Sequence, residues 1–181
     1  MNGIWNAEFA QHHQSSEKLA KWLSNYLPTE DYVIDFGCGT GYYMGYLEKN
    51  DFETTGVDGF AIDNPLCSNF IVHDLTKPIE LPIEGSVISL EVGEHLPKEA
   101  QETFINTLVS HCAEHLILSW AEIGQPGIGH INCRSQEDVI NDIVNRGFEY
   151  LPNETQDARN NIDDNCDWFR RTLLIFRRCT H

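Results

Sequence analysis

Positive charge is scarce in this chain. Twelve lysines and arginines stand against 28 aspartates and glutamates, a formal net charge of −16. A surface this acidic repels phosphate backbones, which argues against nucleic acid as a partner and suits a neutral or cationic ligand. Long apolar runs are missing too: no stretch approaches the roughly 18 residues of a membrane helix, so no membrane association is expected. Residues 1–10 are polar and lack a basic start followed by an apolar run, so no secretory signal is read there and a cytoplasmic location is expected. None of the six cysteines is paired as Cys-x-x-Cys. That spacing excludes a zinc ribbon or thioredoxin-type motif, and reduced cytosolic thiols are the expectation. Internal repeats, low-complexity tracts and linkers are absent as well.

What is present is a chain of 181 residues, 41% hydrophobic and 22% charged, enough for one domain with a real core. Leu19, Trp22, Leu23, Tyr26 and Leu27 recur at helical spacing, so residues 15–27 read as an amphipathic helix, capped by Ser15 or Ser16 and ended by Pro28. Strands are predicted at 32–36, 54–57, 70–73, 86–92, 115–120, 148–151 and 168–176. Helices are predicted at 42–49, from Pro97 to about Val109, and after Ser135, where Asp138 completes a capping box and Gly147 gives the stop. Arg170, Arg171, Arg177 and Arg178 crowd the last strand and read as a solvated strand end. Strands alternating with helices imply an α/β fold, a doubly wound parallel sheet covered on both faces. Ligands of such sheets bind beyond the carboxyl ends of the strands. That rule directs attention to residues 35–41, 58–60, 73–76, 91–95 and 120–133.

The first window reads Asp35-Phe36-Gly37-Cys38-Gly39-Thr40-Gly41. Three glycines allow a sharp turn and close approach of backbone to a ligand. The third comes one residue too early for a dinucleotide fingerprint, whose position Tyr42 fills, and no Gly-Lys-Ser/Thr follows for a P-loop. Asp35 suits a ligand carrying an ammonium group. Asp58, ending the second strand, can accept from ribose hydroxyls, and Asp74, after the third, from an adenine amino group.

With these residues the chain resembles the class I S-adenosylmethionine-dependent methyltransferases over roughly residues 30–178. Val33-Ile34-Asp35-Phe36-Gly37-Cys38-Gly39-Thr40-Gly41 is the strongest motif, and it is specific for the cofactor rather than for a substrate. The resemblance implies a Rossmann-like seven-stranded sheet with helices on both faces and its last strand antiparallel. It implies that Gly37, Cys38, Gly39 and Gly41 hold the methionine part, Asp58 the ribose, and Asp74 with Leu75 the adenine. Asp35, Gly59 and Glu91 complete the expected cofactor set.

The fourth strand runs into Glu91-Val92-Gly93-Glu94-His95-Leu96-Pro97. Three readings stand. Glu94 and His95 lead into the next helix; or His95, with Glu94 and His130 nearby, supplies a base for a hydroxyl nucleophile; or Glu91, Glu94, His95 and His130 bind a divalent ion. The third reading rests on a resemblance to small-RNA 3′-end 2′-O-methyltransferases, where a later histidine completes a magnesium site, and to ubiquinone-pathway O-methyltransferases. The acidic charge counts against RNA, and no metal is assigned. His95, His130 and Glu94 are the candidate catalytic residues.

Residues 120–134, with Trp120, Gln125, His130 and Asn132, are the expected substrate loop. Residues 1–28, with Trp5, Phe9, His12 and His13, are the expected N-terminal lid on a domain of residues 29–181. Residues 152–167 are polar, read as irregular, and are a second lid candidate. The expected activity is methyl transfer to a small-molecule acceptor, at oxygen or nitrogen. A metal-assisted RNA 2′-O-methyltransferase and a non-catalytic cofactor-binding subunit are the alternatives. The sequence gives no oligomeric state.

Overall fold

The computed structural model describes residues 13–180, so Trp5, Phe9 and His12 lie outside the described residues. In chain order the elements are α1 (Glu17–Tyr26), β1 (Tyr32–Phe36), α2 (Tyr42–Glu48), β2 (Glu53–Asp58), β3 (Phe70–Val72), β4 (Gly85–Leu90), α3 (Gln101–His111), β5 (Cys112–Ser119), α4 (Gln136–Val144), β6 (Phe148–Tyr150), α5 (Pro152–Asn160), α6 (Phe169–Thr172) and β7 (Leu173–Arg178). The seven strands form one sheet in the order β3-β2-β1-β4-β5-β7-β6. β7 runs antiparallel to β5 and β6, and the other pairs are parallel. No helix among the described residues is long and apolar enough to cross a membrane.

The two faces follow from the period of a strand. Val33, Ile88, Ile117 and Ile175 point into a core shared with Leu19, Leu23, Met44 and Leu47 of α1 and α2. Their neighbours Ile34, Val87, Leu116 and Phe176 point into the opposite core with Phe104 and Leu108 of α3 and Ile143 of α4. Burial on both faces explains why these strands read as unbroken apolar runs. Ser16 is the cap of α1, and its hydroxyl accepts from Leu19 N–H. Ser135 caps α4 in the same way.

Four expectations need correction. β4 stops at Leu90, not Val92, because Glu91 takes a left-handed φ of 53° and turns the chain. The helix after Pro97 begins as a 3₁₀ turn at Lys98–Ala100, with α3 proper starting at Gln101. Residues 168–172 are not strand: Arg171 and Thr172 N–H both donate to Trp168 C=O, which winds α6 before β7 starts at Leu173. Residues 152–160 are regular helix. Pro152 fits its first turn, and the buried stripe is only Thr155 and Ala158, too small to show as periodicity. The arginine group divides accordingly. Arg170 pairs with Asp164 and Arg177 with Glu149, whereas Arg178 donates to Cys112 C=O and stacks over Phe148.

Candidate active site

The strand order reverses between β1 and β4, and a cavity of about 290 Å³ opens there, beyond the carboxyl ends of the strands. One half of its wall is built on β1, β2 and the segment after β3. Gly37 and Gly39 line it with left-handed backbone, at φ 94° and 55°. A Cβ on Gly37 would run into Val92, and one on Gly39 into the His13 ring, so both positions require glycine. Asp58 sits on the same wall and its Oδ2 accepts from Gly39 N–H at 2.8 Å. Burial raises the Asp58 carboxyl to about 6, against the lowering effect of backbone N–H groups at Gly39, Gly59 and Phe60. Gly59, Phe60 and Leu75 continue the wall.

Asp35 lies beneath the glycine loop rather than on the wall. It is 2% exposed, and its Oδ1 has no hydrogen-bond partner. Burial, and then the neighbouring Asp58, push its carboxyl well above the usual range. A buried carboxylate with an open acceptor beside a second acid fits a cationic ligand. Cys38 also lies below the wall, its Sγ packed at Gly56. Gly41 caps α2. Asp74 is off the wall: its Oδ1 accepts from Thr76 N–H and Oγ1 at 3.0 and 2.7 Å, closing an Asx turn.

The other half of the wall is built after β4 and β5. The turn at Glu91 aims its side chain into the cavity. There Oε2 accepts from Gln125 Nε2 at 2.7 Å and Oε1 from Thr172 Oγ1 at 2.9 Å. His95 and His130 also line the cavity, their rings 5.1 Å apart. His95 Nδ1 meets Gly129 C=O at 3.2 Å, and His130 Nδ1 meets Gln125 C=O at 3.1 Å. A carbonyl only accepts, so each Nδ1 donates and carries a proton. Burial, followed by the charges of His130 and His13, lowers His95 to about 4. Behind them Glu94 is wholly buried; neither carboxylate oxygen has a hydrogen-bond partner, and Oε1 lies 3.9 Å from His95 Nε2. Burial and Glu91 push its carboxyl well up. One ligand atom each from Glu94, His95 and His130 falls within a 4.8 Å group.

The 120–134 loop is pinned to this turn, since Ile131 and Asn132 N–H both donate to Glu94 C=O. Gln125 and His130 reach the wall, but Trp120 does not. It is core, its indole donating to Asn132 C=O at 2.6 Å and its ring packed on Gly93. Asn132 is buried beside it. Sequence reasoning missed Phe60, Trp168 and Phe169 as wall residues, and His13 as more than lid. The last two aromatics arrive by way of the helical turn that had read as strand.

The methyltransferase domain family model matches residues 10–116. Among solved structures, the chain resembles magnesium protoporphyrin IX methyltransferase from Synechocystis with bound SAM (21% identity, TM-score 0.62, covering 97% of this chain and 86% of that one). It also resembles a TehB-like SAM-dependent methyltransferase from Corynebacterium glutamicum (16%, 0.67, 96% and 93%). A third is the 1,6-didemethyltoxoflavin-N1-methyltransferase of Burkholderia thailandensis with its bound substrate and S-adenosylhomocysteine (13%, 0.63, 98% and 81%). These likenesses establish the shared fold. No curated protein matches the chain.

Proposed function

This chain belongs to the class I S-adenosylmethionine-dependent methyltransferases, and from that premise we propose that it transfers the sulfonium methyl group to oxygen or nitrogen of a small-molecule acceptor. One observation carries the reading. A single cavity joins Asp58 and the glycine loop on one side to Glu91, His95 and His130 on the other. S-adenosylmethionine supplies an already activated methyl group, so the protein mainly has to align the nucleophile and exclude water. In this reading Asp58 accepts from the ribose hydroxyls, and Asp35 offers its open oxygen to the amino group. Gly37 to Gly41 give backbone contact, and Gly59 and Leu75 flank the adenosine. Asp74, held by Thr76, keeps its second oxygen for the adenine amino group. His95 and His130 stand on the wall where an acceptor hydroxyl would sit. Among the described residues the wall carries no lysine or arginine, which disfavours an anionic acceptor. The named substrates of the neighbours, a porphyrin and 1,6-didemethyltoxoflavin, are small molecules. A cytoplasmic location accords with six free cysteines.

Calorimetric titration with S-adenosylmethionine, S-adenosylhomocysteine and NAD tests the cofactor. Micromolar binding of both adenosyl ligands and none of NAD is expected, and failure of both adenosyl ligands overturns the reading. Release of S-adenosylhomocysteine on a panel of hydroxylated and amino acceptors then tests turnover. Tight binding without turnover on any acceptor would favour the non-catalytic subunit.

The Glu94 carboxylate favours a second reading in which the same transfer is metal-assisted. A fully buried acid with neither oxygen in a hydrogen bond, beside two imidazoles, fits a divalent cation held by Glu94, His95 and His130. Such an ion would lower the pKa of an acceptor hydroxyl. The mixed nitrogen and oxygen donors suit manganese, iron, cobalt or zinc better than magnesium. Direct titration with manganese and zinc checks it: heat that disappears in Glu94→Gln supports the site, and no heat in the unaltered protein removes it.

A further inference from the structure

Part of the cavity wall comes from neither the glycine loop nor the loops after β4 and β5. A Cβ built on Gly39 would meet the His13 ring at 2.1 Å, so the imidazole stands directly against that glycine. The same glycine donates its N–H to Asp58. His13 and Gln14 share the wall with Trp168 and Phe169, from the far end of the chain.

One polar clasp ties these two segments together. Ser16 Oγ donates to Asp163 Oδ2 at 3.0 Å and accepts from Asp163 N–H at 3.0 Å. The same Oδ2 accepts from Lys18 N–H at 3.0 Å, and Lys18 Nζ stands 3.5 Å from Oδ1. Asn165 Nδ2 donates to Ser15 C=O at 3.3 Å, and Ser16 N–H donates to the Tyr43 hydroxyl at 3.1 Å. The group that caps α1 therefore also docks the residues before α1 onto the cavity. Asp163 is itself off the wall.

We propose that His13 is a cofactor-binding residue that closes the S-adenosylmethionine cavity over Gly39, and that Ser16 and Asp163 are the positioning residues that hold it there. The inference rests on the cofactor reading above. Desolvation lowers the His13 pKa, so at neutral pH the ring meets a sulfonium or ammonium group without like charge. The two chain segments joined by the clasp then have to separate for the ligand to leave.

The test uses S-adenosylhomocysteine as probe on the full chain, by calorimetry and stopped-flow. His13→Ala should lose about tenfold or more in affinity, and Asp163→Ala should speed dissociation about as much while association changes little. Asp163→Asn, which keeps an acceptor oxygen for Ser16, should recover most of the effect. Amide exchange at Gly39 in the ligand-free protein should quicken in Asp163→Ala. Affinity within about twofold of the unaltered protein in His13→Ala overturns the binding role. A lowered melting temperature in Asp163→Ala with unchanged dissociation reduces the clasp to a structural tie and overturns its positioning role. If the unaltered protein binds no S-adenosylhomocysteine, the cofactor reading fails. Amide exchange then still decides the clasp, and unchanged exchange at Gly39 overturns it.

Discussion

Two buried acids, Asp58 on the cavity wall and Glu94 behind it, do different work. Asp58 is anchored by Gly39 N–H and faces the ligand, so Asp58→Ala removes a double acceptor. At about 1–3 kcal/mol for each lost charged hydrogen bond, S-adenosylhomocysteine affinity should fall on the order of 100-fold, read by calorimetry. Burial has raised this carboxyl to about 6. Above that pH it accepts two hydrogen bonds; as pH falls through 6 it takes a proton and loses an acceptor. Affinity should therefore decline between pH 7 and 5, and the decline should be absent in Asp58→Asn. Glu94 behaves differently. A carboxyl raised by burial takes up a proton on folding, so its contribution to stability falls as pH rises above the ordinary carboxylate range. Glu94→Gln should therefore raise the melting temperature of metal-free protein at pH 7, and should abolish any rise caused by manganese or zinc. Asp58 was legible as a wall residue because strand ends in α/β chains face ligands, whereas Asp35, expected by the same rule, lies beneath the glycine loop. Asp74 was only half legible: Thr76, two residues on, is the mark of an Asx turn that takes one of its oxygens. His13 was read only as part of a lid, because its partner Gly39 is brought to it by the docking of α1.

Among the elements, β1 to β5 were legible from their apolar runs, and α1 to α4 from caps and spacing. β7 was misplaced because Trp168 and Phe169 are as apolar as strand residues, while the hydrogen bonds to Trp168 C=O that wind α6 leave no mark in composition. The loop at 120–134 was legible as a site but not in detail. Its shape depends on Trp120, which looked like a ligand-facing ring and is a buried strut. Trp120→Phe keeps most of the packing and leaves Asn132 C=O without its donor. It should cost about 1–3 kcal/mol in urea unfolding. It should also raise the acceptor KM more than it changes S-adenosylhomocysteine affinity, because Gln125 and His130 ride on the same loop.

For the whole molecule, alternation of strand and helix gave the fold class, whereas the strand count and the reversed direction of β7 came from family resemblance. Side-chain periodicity says which face a residue takes, not which strand lies beside it. The charge of −16 is a property of the entire surface. Added salt should raise the melting temperature by screening self-repulsion, and binding of neutral S-adenosylhomocysteine should change little. The position of β7 has a further effect. Among the described residues it is the last strand in chain order, yet it lies between β5 and β6, and β6 pairs with no other strand. During synthesis, β5 must wait on the ribosome with one edge bare and β6 with none of its ladder formed, until residues 173–178 emerge. A stalled or prematurely ended chain exposes the edge of β5 as a template for other chains. The sheet is thus sealed only when β7, the last of its strands in chain order, has been made, and a chain that lacks this strand should be found in the insoluble fraction.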